Sequence, residues 1–541
     1  MISLKKWQES KEELATRNVK LPTYDVVAVK NVGKEEPVWI HFGGGNLYRG
    51  FHAEIAQRLI EEGKLKSGVI VCETLDKNII DDIYAPFNQD LLQVIMHENG
   101  SLEKKINAAT ADSYFCNPDR QEDFKKVQKY FMSPTLQFAT FTITEKGYVL
   151  NNPDGSLTGM VKEDLRNGPD SPRHTMSIVT SLLYKRFEAG ALPIAMVSTD
   201  NFSQNGERFK TSILTIAEGW KKNNLVHQGF VDYLRDDTRI SFPWSMIDRI
   251  TPNPSESVKK GLEAVGFCDM DIVHTPKQTT IAPFANTEVV HYLVLEDNFP
   301  NGRPDLSAGG VVLTDRETVD KADTMKVTAC LNPLHTALAI FGCLLGYTSI
   351  ADEMKNKDLV NLIKQIGYRE GLPVVSNPKI IHPTKFIDEV INKRLPNPFI
   401  PDTPQRIACD TSQKVAIRFG KTIKAYQTLQ GKNVNELTFI PLTIAGWLRY
   451  LIGIDDQGKK FIPSQDPLLE KLQQELSQVY LGISDMHLIH KSVTPILSND
   501  EIFGVNLYEV GLGEKIERFY LEMLSDKGAV QRTLHYYLNK E

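Results

Sequence analysis

The first part of the chain alternates short apolar runs with segments whose apolar residues recur at helical spacing. Strand-like runs lie at 38–42, 69–72, 91–96, 102–106, 136–144 and 194–198. The segment 48–62 has the spacing of an amphipathic helix, and Asn99-Gly100 is a typical hairpin turn. Strand, glycine-rich turn, helix and strand, in this order, form a βαβ unit. We therefore expect a Rossmann-type α/β domain over residues 1–314.

The pattern changes near Thr314, after a linker rich in proline and glycine at 298–310. Long segments with helical periodicity follow, at 316–347, 357–371, 411–431, 435–453, 465–479 and 505–524. Helical spacing maintained over this length favours amphipathic helices over strands. We expect residues 315–541 to form a mostly α-helical domain that binds the substrate.

The composition is that of a globular protein with more than one core. The 541 residues are 41 % hydrophobic and 24 % charged, and the net charge of −6 argues against nucleic acid or an anionic membrane as a partner. The six cysteines are scattered without a CxxC pair, and the N-terminal segment lacks the apolar stretch of a signal peptide. We expect a cytoplasmic protein with reduced thiols.

A glycine-rich turn follows the first strand of the βαβ unit. Gly43, Gly44 and Gly45 suit a tight turn that brings the backbone and a helix N-terminus close to a pyrophosphate, although Tyr48 replaces the usual third glycine. The alternative is a glycine turn in an unrelated α/β protein. At the end of the next strand, Glu73 could accept hydrogen bonds from a ribose diol.

The acidic residue also bears on the choice of cofactor. A carboxylate at Glu73 would repel a 2′-phosphate, so the sequence favours NAD over NADP. Asp76 is a rival for the ribose contact, and Lys77 leaves some room for NADP.

A second group of polar residues lies near position 330, within Lys326-Val-Thr-Ala-Cys-Leu-Asn332-Pro-Leu-His335. A buried lysine loses basicity and can exchange protons near neutral pH, and an asparagine amide can donate to a developing oxyanion. These residue types suit the metal-free oxidation of an alcohol. Each also has a structural interpretation: Lys326 on a solvated face, Asn332 as a helix N-cap before Pro333, and His335 as a core histidine.

Six motifs in order resemble one family, the long-chain polyol dehydrogenases, also known as the mannitol dehydrogenase family. They are Gly43-x-Gly45-Asn46-x-x-Arg49, Thr144-Glu145-Lys146-Gly147-Tyr148, Asp200-Asn201 with Asn205-Gly206, Pro243-x-Ser245-Met246-x-Asp248-Arg249-Ile250-Thr251-Pro252, Glu296-Asp297-x-Phe299 with Gly302-Arg303-Pro304, and the pair Arg406 and Lys414. The resemblance implies a Rossmann domain, a helical domain, a substrate cleft between them, and metal-independent NAD(P) chemistry.

The resemblance also implies residue roles. Lys326 is the general base, Asn201 and Asn332 form the oxyanion hole, and His335 orients the substrate. The remaining expected contacts are with the cofactor, from Gly43, Gly45, Asn46, Arg49, Glu73 and Glu145, and with the substrate, from Arg406, Lys414 and Asp248. Glu145 could equally be a proton relay or a turn residue. Asp200 and Asp248 could orient Asn201 or Arg249, and a capping role is an equal alternative for Asp200. The family further implies a monomer or weak homo-oligomer.

The spacing within the second group departs from the family. Five residues separate Lys326 from Asn332, where the family usually has four. On a regular helix, at about 100° per residue, Lys326 would lie roughly 180° from His335. Because Pro333 lacks an N–H and disrupts helical hydrogen bonding, we predict a kink, a bulge or a fresh helix start near Asn332.

The substrate follows from the resemblance alone. The chain length and the Leu-Asn-Pro-Leu-His sequence resemble the branch that interconverts D-mannonate and D-fructuronate, with tagaturonate reductases and mannitol 2-dehydrogenases as alternatives. A dinucleotide-binding protein without catalytic activity is a remote alternative. His487 and His490 form an HxxH pair, but because a suitably spaced acidic ligand is lacking we expect no metal site.

Overall fold

The structure, a computed structural model, describes residues 1–540 and divides into two compact units. The N-terminal unit comprises Met1–His97 and Ser101–Asp320, and the C-terminal unit comprises Glu98–Gly100 and the chain from Lys321 onward. The division falls within one helix, and the boundary expected at 314/315 stays a prediction.

Every strand of the described chain lies in the N-terminal unit. The strands are β1 (Val19–Lys20), β2 (Trp39–Phe42), β3 (Val69–Glu73), β4 (Leu91–Met96), β5 (Leu102–Asn107), β6 (Thr110–Phe115), β7 (Phe138–Phe141), β8 (Ile194–Ser198), β9 (Ile240–Ser241), β10 (Ser245–Asp248), β11 (Val273–His274), β12 (Thr280–Ile281), β13 (Phe284–Glu288), β14 (Tyr292–Glu296) and β15 (Val312–Thr314). The predicted hairpin is present, since β4 and β5 pair antiparallel.

The central sheet has six parallel strands in the order β6-β3-β2-β7-β8-β9. Counted along the chain within this sheet, the order is 3-2-1-4-5-6, that of a doubly wound dinucleotide-binding fold. Strands β2, β3, β7 and β8 are fully buried, which explains their continuous apolar sequence. The Rossmann-type fold predicted for this part of the chain is confirmed.

Nine helices flank these strands, and a tenth carries the chain into the second unit. They are α1 (Lys11–Thr16), α2 (Val26–Glu35), α3 (Ala53–Glu61), α4 (Gln121–Phe131), α5 (Gly159–Asn167), α6 (Thr175–Glu188), α7 (Asn205–Lys222), α8 (Gln228–Arg235), α9 (Glu256–Ala264) and α10 (Arg316–Met325). A π-helical turn, Tyr48–His52, precedes α3, so the predicted helix begins close to the glycine turn.

The described part of the C-terminal unit is helical, as predicted. Its helices are α11 (Asn332–Leu344), α12 (Ile350–Glu353), α13 (Lys357–Lys364), α14 (Pro383–Glu389), α15 (Pro404–Ile407), α16 (Lys421–Thr428), α17 (Phe439–Leu451), α18 (Leu469–Glu475), α19 (Met486–Leu497), α20 (Asp500–Phe503), α21 (Gly513–Leu524) and α22 (Ala529–Asn539). Helix α17 is buried along its whole length and packs against α11 and α21.

Two predicted helices are shorter than expected. The segment 465–479 is helical only over α18, and 505–524 only over α21. In the second case the side chain of Asn506 accepts from the backbone N–H of Tyr508, 3.0 Å away, and Gly511 has a φ of +83°. These are turn features that compete with a helix.

One helical stretch, Arg316–Leu344, is long and apolar enough to cross a membrane by length and composition. Of its most apolar window, 83 % is buried within the described chain. Burial of this extent is that of a core helix, so the stretch is weak support for a membrane span.

Candidate active site

The glycine turn lies at the carboxyl end of β2, where the sheet reverses its strand order. Gly43 has a φ of +104°, and a Cβ there would lie 2.2 Å from the carbonyl oxygen of Thr142. Only glycine fits this position. A Cβ on Gly45, in contrast, would meet no atom within 4 Å, so the space beside this residue is open to a ligand.

Glu73 holds this turn against the neighbouring strand. One of its carboxylate oxygens accepts from the N–H of Gly44 at 3.1 Å, and the other accepts from the N–H groups of Thr74 and Leu75. Burial raises the pKa of Glu73, and these backbone donors oppose the shift. The rival acid, Asp76, accepts from the hydroxyl of Thr275 and the N–H of Asn78.

A cavity of about 550 Å³ opens beyond the end of β3. It is lined by residues that include Thr74, Asp76, Lys77, Phe115, Arg120 and Lys277. Its position next to the glycine turn and Glu73 is where a doubly wound fold accommodates the adenosine half of a dinucleotide.

Arg49 lies in the first helical turn after the glycines and is 1 % exposed. Its Nη2 donates to the carbonyl of Ala282 at 2.5 Å, whereas its Nη1 is buried without a hydrogen-bond partner among the described residues. Burial lowers the pKa of Arg49 to about 10. Asn46 donates to Asn253 and to the carbonyl of Thr280. A buried cation with an unused donor fits a phosphate-bearing cofactor.

The carboxyl ends of β7 and β8 carry the next two motifs. Asp200 accepts from the N–H groups of Ile143 and Thr144 and from the hydroxyl of Tyr148, so it anchors the segment that follows β7. Burial raises the pKa of Asp200. Asn201 is exposed in the adjacent turn, and Glu145 forms an ion pair with Arg208 at the surface. Asp200 therefore has a structural role, because it holds the backbone that follows β7 in place.

Asp248 ends strand β10 and is 6 % exposed. The neighbouring Arg249 forms a buried ion pair with Glu54 at 2.6 Å and donates to the carbonyl of Glu288. This ion pair connects two elements of the N-terminal unit, so Arg249 has a structural role there.

The second group of residues contains the predicted irregularity. Lys326–Cys330 forms a π-helical turn, closed by a 3.1 Å bond from the N–H of Leu331 to the carbonyl of Lys326. Leu331 then leaves helical geometry with φ −131° and ψ −62°, and α11 starts afresh at Asn332. The prediction of a bulge or new helix start is confirmed, and the π-turn absorbs the extra residue between Lys326 and Asn332.

Lys326 is 2 % exposed, and its Nζ lies 3.3 Å from a carboxylate oxygen of Asp323, one turn earlier. The interpretation of Lys326 as a solvated surface lysine is therefore wrong. Leu331 rather than Asn332 is the N-cap of α11, so the capping interpretation of Asn332 is also wrong.

His335 is half-buried, and its Nε2 lies 3.3 Å from Oδ2 of Asp402. The other oxygen of Asp402 pairs with Arg406, whose side chain is 63 % exposed. Burial opposes ionisation of Asp402, yet the adjacent His335 and Arg406 together lower its pKa. The carboxylate of Asp402 thus connects His335 to Arg406, one of the two basic residues that the sequence predicted to bind the substrate.

The second basic residue, Lys414, donates to the carbonyl of Cys409 at 2.6 Å. Burial, and next the charge of Arg418, lower the pKa of Lys414. The histidines of the HxxH pair lie on α19, where His490 contacts Glu517 at 2.7 Å. Within residues 1–540, no group of three or more histidine, cysteine or acidic side chains could hold a metal ion.

Comparison with known proteins bears on both units. The mannitol dehydrogenase Rossmann domain matches residues 38–308, and the mannitol dehydrogenase C-terminal domain matches residues 318–524. The chain belongs to the mannitol dehydrogenase family. This confirms the resemblance found in the sequence motifs.

Three relatives of this mannitol dehydrogenase family member span nearly its full length. A D-mannonate oxidoreductase of Thermotoga maritima is 50 % identical over 97 % of this chain and 96 % of its own. A D-sorbitol dehydrogenase structure has a TM-score of 0.78 at 23 % identity, covering 95 % of this chain and 97 % of its own. The structure of Pseudomonas fluorescens mannitol 2-dehydrogenase, solved with NAD and D-mannitol, has a TM-score of 0.69 at 24 % identity. It covers 98 % of this chain and 99 % of its own. The two structures support the fold.

The sequence interpretation of this family member missed three polar residues, Asp323, Asp402 and Arg418. Asp323 and Asp402 lie one helical turn before Lys326 and Arg406, a spacing typical of ion pairs and visible in the sequence. Arg418 gave no such signal, because its partner Thr336 is 82 residues away.

Proposed function

We propose that this protein is an NAD-dependent oxidoreductase that interconverts D-mannonate and D-fructuronate. The observation that carries the proposal is 50 % identity, over nearly the whole of both chains, to a D-mannonate oxidoreductase. The buried Lys326, next to a break that starts α11 at Asn332, supports the chemistry.

In the oxidation, the secondary alcohol of the substrate loses a proton from oxygen and a hydride from carbon. Lys326 takes the proton, and in the reverse direction it returns the proton to the ketone oxygen. The amides of Asn332 and Asn201 donate to the oxygen as negative charge develops there. His335 binds a substrate hydroxyl, and the carboxylate of Asp402, 3.3 Å from Nε2 of His335, favours one orientation of the imidazole ring.

NAD, when bound, supplies the acceptor of the hydride. The open space at Gly45 and the unused donor of Arg49 would hold its phosphates. The cavity beyond β3 would hold the adenosine. Two of the cations lining this cavity are already paired, Arg120 with Asp81 at 2.6 Å and Arg173 with Glu163 at 3.6 Å. Lys77 and Lys277 also line the cavity, so the preference for a ribose diol over a 2′-phosphate rests on the acidic strand end at Glu73.

The remaining assignments accompany this proposal. Glu145 contributes from the cofactor side, and Asp248 and Lys414 contribute to substrate binding. We further propose a cytoplasmic enzyme that acts as a monomer or weak homo-oligomer.

Reduction of NAD at 340 nm, measured with D-mannonate, D-altronate and D-mannitol, tests the proposal. We expect kcat/KM to be highest for D-mannonate and higher with NAD than with NADP. A preference for D-altronate or D-mannitol would assign the protein to the tagaturonate reductases or the mannitol 2-dehydrogenases. NADH binding without turnover of any of these compounds would indicate a non-catalytic dinucleotide-binding protein.

A further inference from the structure

Two half-buried cations of the C-terminal unit have only neutral partners. Arg418 lies in the π-helical turn Ala416–Gly420, and its Nη1 donates to the hydroxyl of Thr336 at 2.6 Å. Lys414, four residues earlier, donates to a backbone carbonyl. Within the described chain, neither side chain has a carboxylate within ion-pair distance. Asp410 and Asp466 offset part of the charge of Lys414 from a greater distance, whereas no carboxylate raises the pKa of Arg418, so the charge of Arg418 is the less compensated of the two.

This arrangement is unfavourable for the isolated chain. Burial lowers the pKa of Arg418 to about 10, and the pKa of Lys414 is lowered by burial and by the charge of Arg418. Desolvated cations that repel each other cost free energy unless an anion offsets them. An anionic ligand would provide that compensation, and an arginine fork is suited to a carboxylate.

The two cations also lie beside the residues proposed for the chemistry. The turn that contains Arg418 packs against the π-turn of Lys326, and nearby the hydroxyl of Thr422 donates to the carbonyl of Thr328 at 3.2 Å. Thr336, the partner of Arg418, directly follows His335 on α11. An anion held by Arg418 would therefore be close to the reacting part of the substrate.

Arg406 differs from these two residues in its charge balance. Its guanidinium already pairs with Asp402, and its side chain is mostly exposed. Because Asp402 also contacts His335, loss of Arg406 would disturb the histidine whatever the charge of the substrate. Arg406 is thus a poor candidate for recognising an acid.

We propose that Arg418, assisted by Lys414, binds the carboxylate of the sugar-acid substrate and selects acids over neutral polyols. The inference rests on the proposed function, since it names the contact by which that site would recognise D-mannonate. It assigns to Arg418 a role in specificity, and to Arg406 a positioning role through Asp402.

The test compares kcat/KM for D-mannonate with kcat/KM for D-mannonamide, in which a neutral amide replaces the carboxylate. Wild-type enzyme should strongly prefer the acid. Arg418→Gln should lower kcat/KM for the acid by about 10- to 100-fold, the loss expected for a hydrogen bond to a charged group, and leave the amide within about threefold. Arg418→Lys retains a charge and should retain most of the preference.

Arg406→Gln is the matched control, because it removes a cation that is already paired. It should lower kcat/KM for acid and amide alike, so that their ratio stays near the wild-type value. Melting temperatures of all variants establish that each is folded. An unchanged acid-to-amide ratio in Arg418→Gln, or a ratio that falls only in Arg406→Gln, would overturn the proposal.

The same assay separates this inference from the proposed function. If wild-type enzyme oxidises D-mannonate and D-mannonamide equally well, the carboxylate contact is wrong while the dehydrogenase assignment stands. If wild-type enzyme oxidises neither compound, the proposed function fails, and the inference fails with it.

Discussion

Among single residues, Lys326 is unusual because the chain buries a cation where lysine normally faces solvent. It is 2 % exposed, and Asp323, 3.3 Å away, is the carboxylate that faces it from the preceding turn. Burying a charged group costs free energy, so the position indicates a function. The sequence suggested this function through the neighbouring Asn332 and His335 and through the resemblance to the family.

Lys326→Ala should therefore lower turnover of D-mannonate by about 10²- to 10⁴-fold, the usual contribution of a general base. Binding of NADH, followed by its fluorescence, should change little, because the proposed cofactor contacts lie in the other unit. Lys424→Ala, at an exposed lysine of α16, is the control and should retain full turnover. Turnover near the wild-type value in Lys326→Ala would rule this residue out as the base.

The sequence predicted Lys326, Asn332 and His335, which share a motif, and it gave no signal for contacts that only folding brings together. Lys326, Asn332 and His335 lie within ten positions, so their chemistry could be seen in the sequence. The contacts of His335 with Asp402 and of Arg418 with Thr336 join distant segments. The spacing of residues along one element carries no information about such pairs.

On the scale of secondary-structure elements, the break between α10 and α11 decides which side chains share a face. A π-turn holds one more residue than an α-turn, so it compensates for the additional residue between Lys326 and Asn332. The count of residues, together with Pro333, was enough to predict an irregularity. The sequence could not predict the type of irregularity, because a kink and a bulge both accommodate the additional residue between Lys326 and Asn332.

Removing Val327 tests this compensation. The deletion gives the four-residue spacing usual in the family, so we expect the π-turn to become α-helical while Lys326 keeps its place relative to Asn332. Activity on D-mannonate should stay within about tenfold of wild type. Deleting Ala337 from the regular part of α11 should instead abolish activity, since every residue before it would rotate by about 100°. A folded but inactive Val327 deletion would contradict this interpretation.

For the molecule as a whole, the two periodicities in the sequence predicted the two kinds of unit. Continuous apolar runs correspond to the buried parallel strands, and apolar residues that recur with a period of about 3.6 residues correspond to the helices. The sequence could not reveal the energetic cost of particular buried groups. Glu353 is an example: it is fully buried against Gly342 of α11, and neither carboxylate oxygen has a hydrogen-bond partner among the described residues.

Burial raises the pKa of Glu353 to about 9. Because the unfolded chain loses this proton near pH 4.5, the folded state binds more protons between pH 4.5 and 9. The free energy of unfolding should thus fall as the pH rises through this window, by roughly 3 kcal/mol at pH 7. Glu353→Gln cannot ionise, so melting temperatures measured from pH 6 to 9 should decline less steeply than in wild type.

The slope against pH, rather than the melting temperature at one pH, is the diagnostic quantity, since the glutamine amide is buried too. Asp352→Asn provides the matched control, because it removes the same charge from a neighbouring side chain that is 54 % exposed and pairs with Lys355. The melting temperature of Asp352→Asn should decline with pH as steeply as that of wild type. If the curve of Glu353→Gln is also parallel to wild type, Glu353 is not the buried acid that makes stability fall with pH.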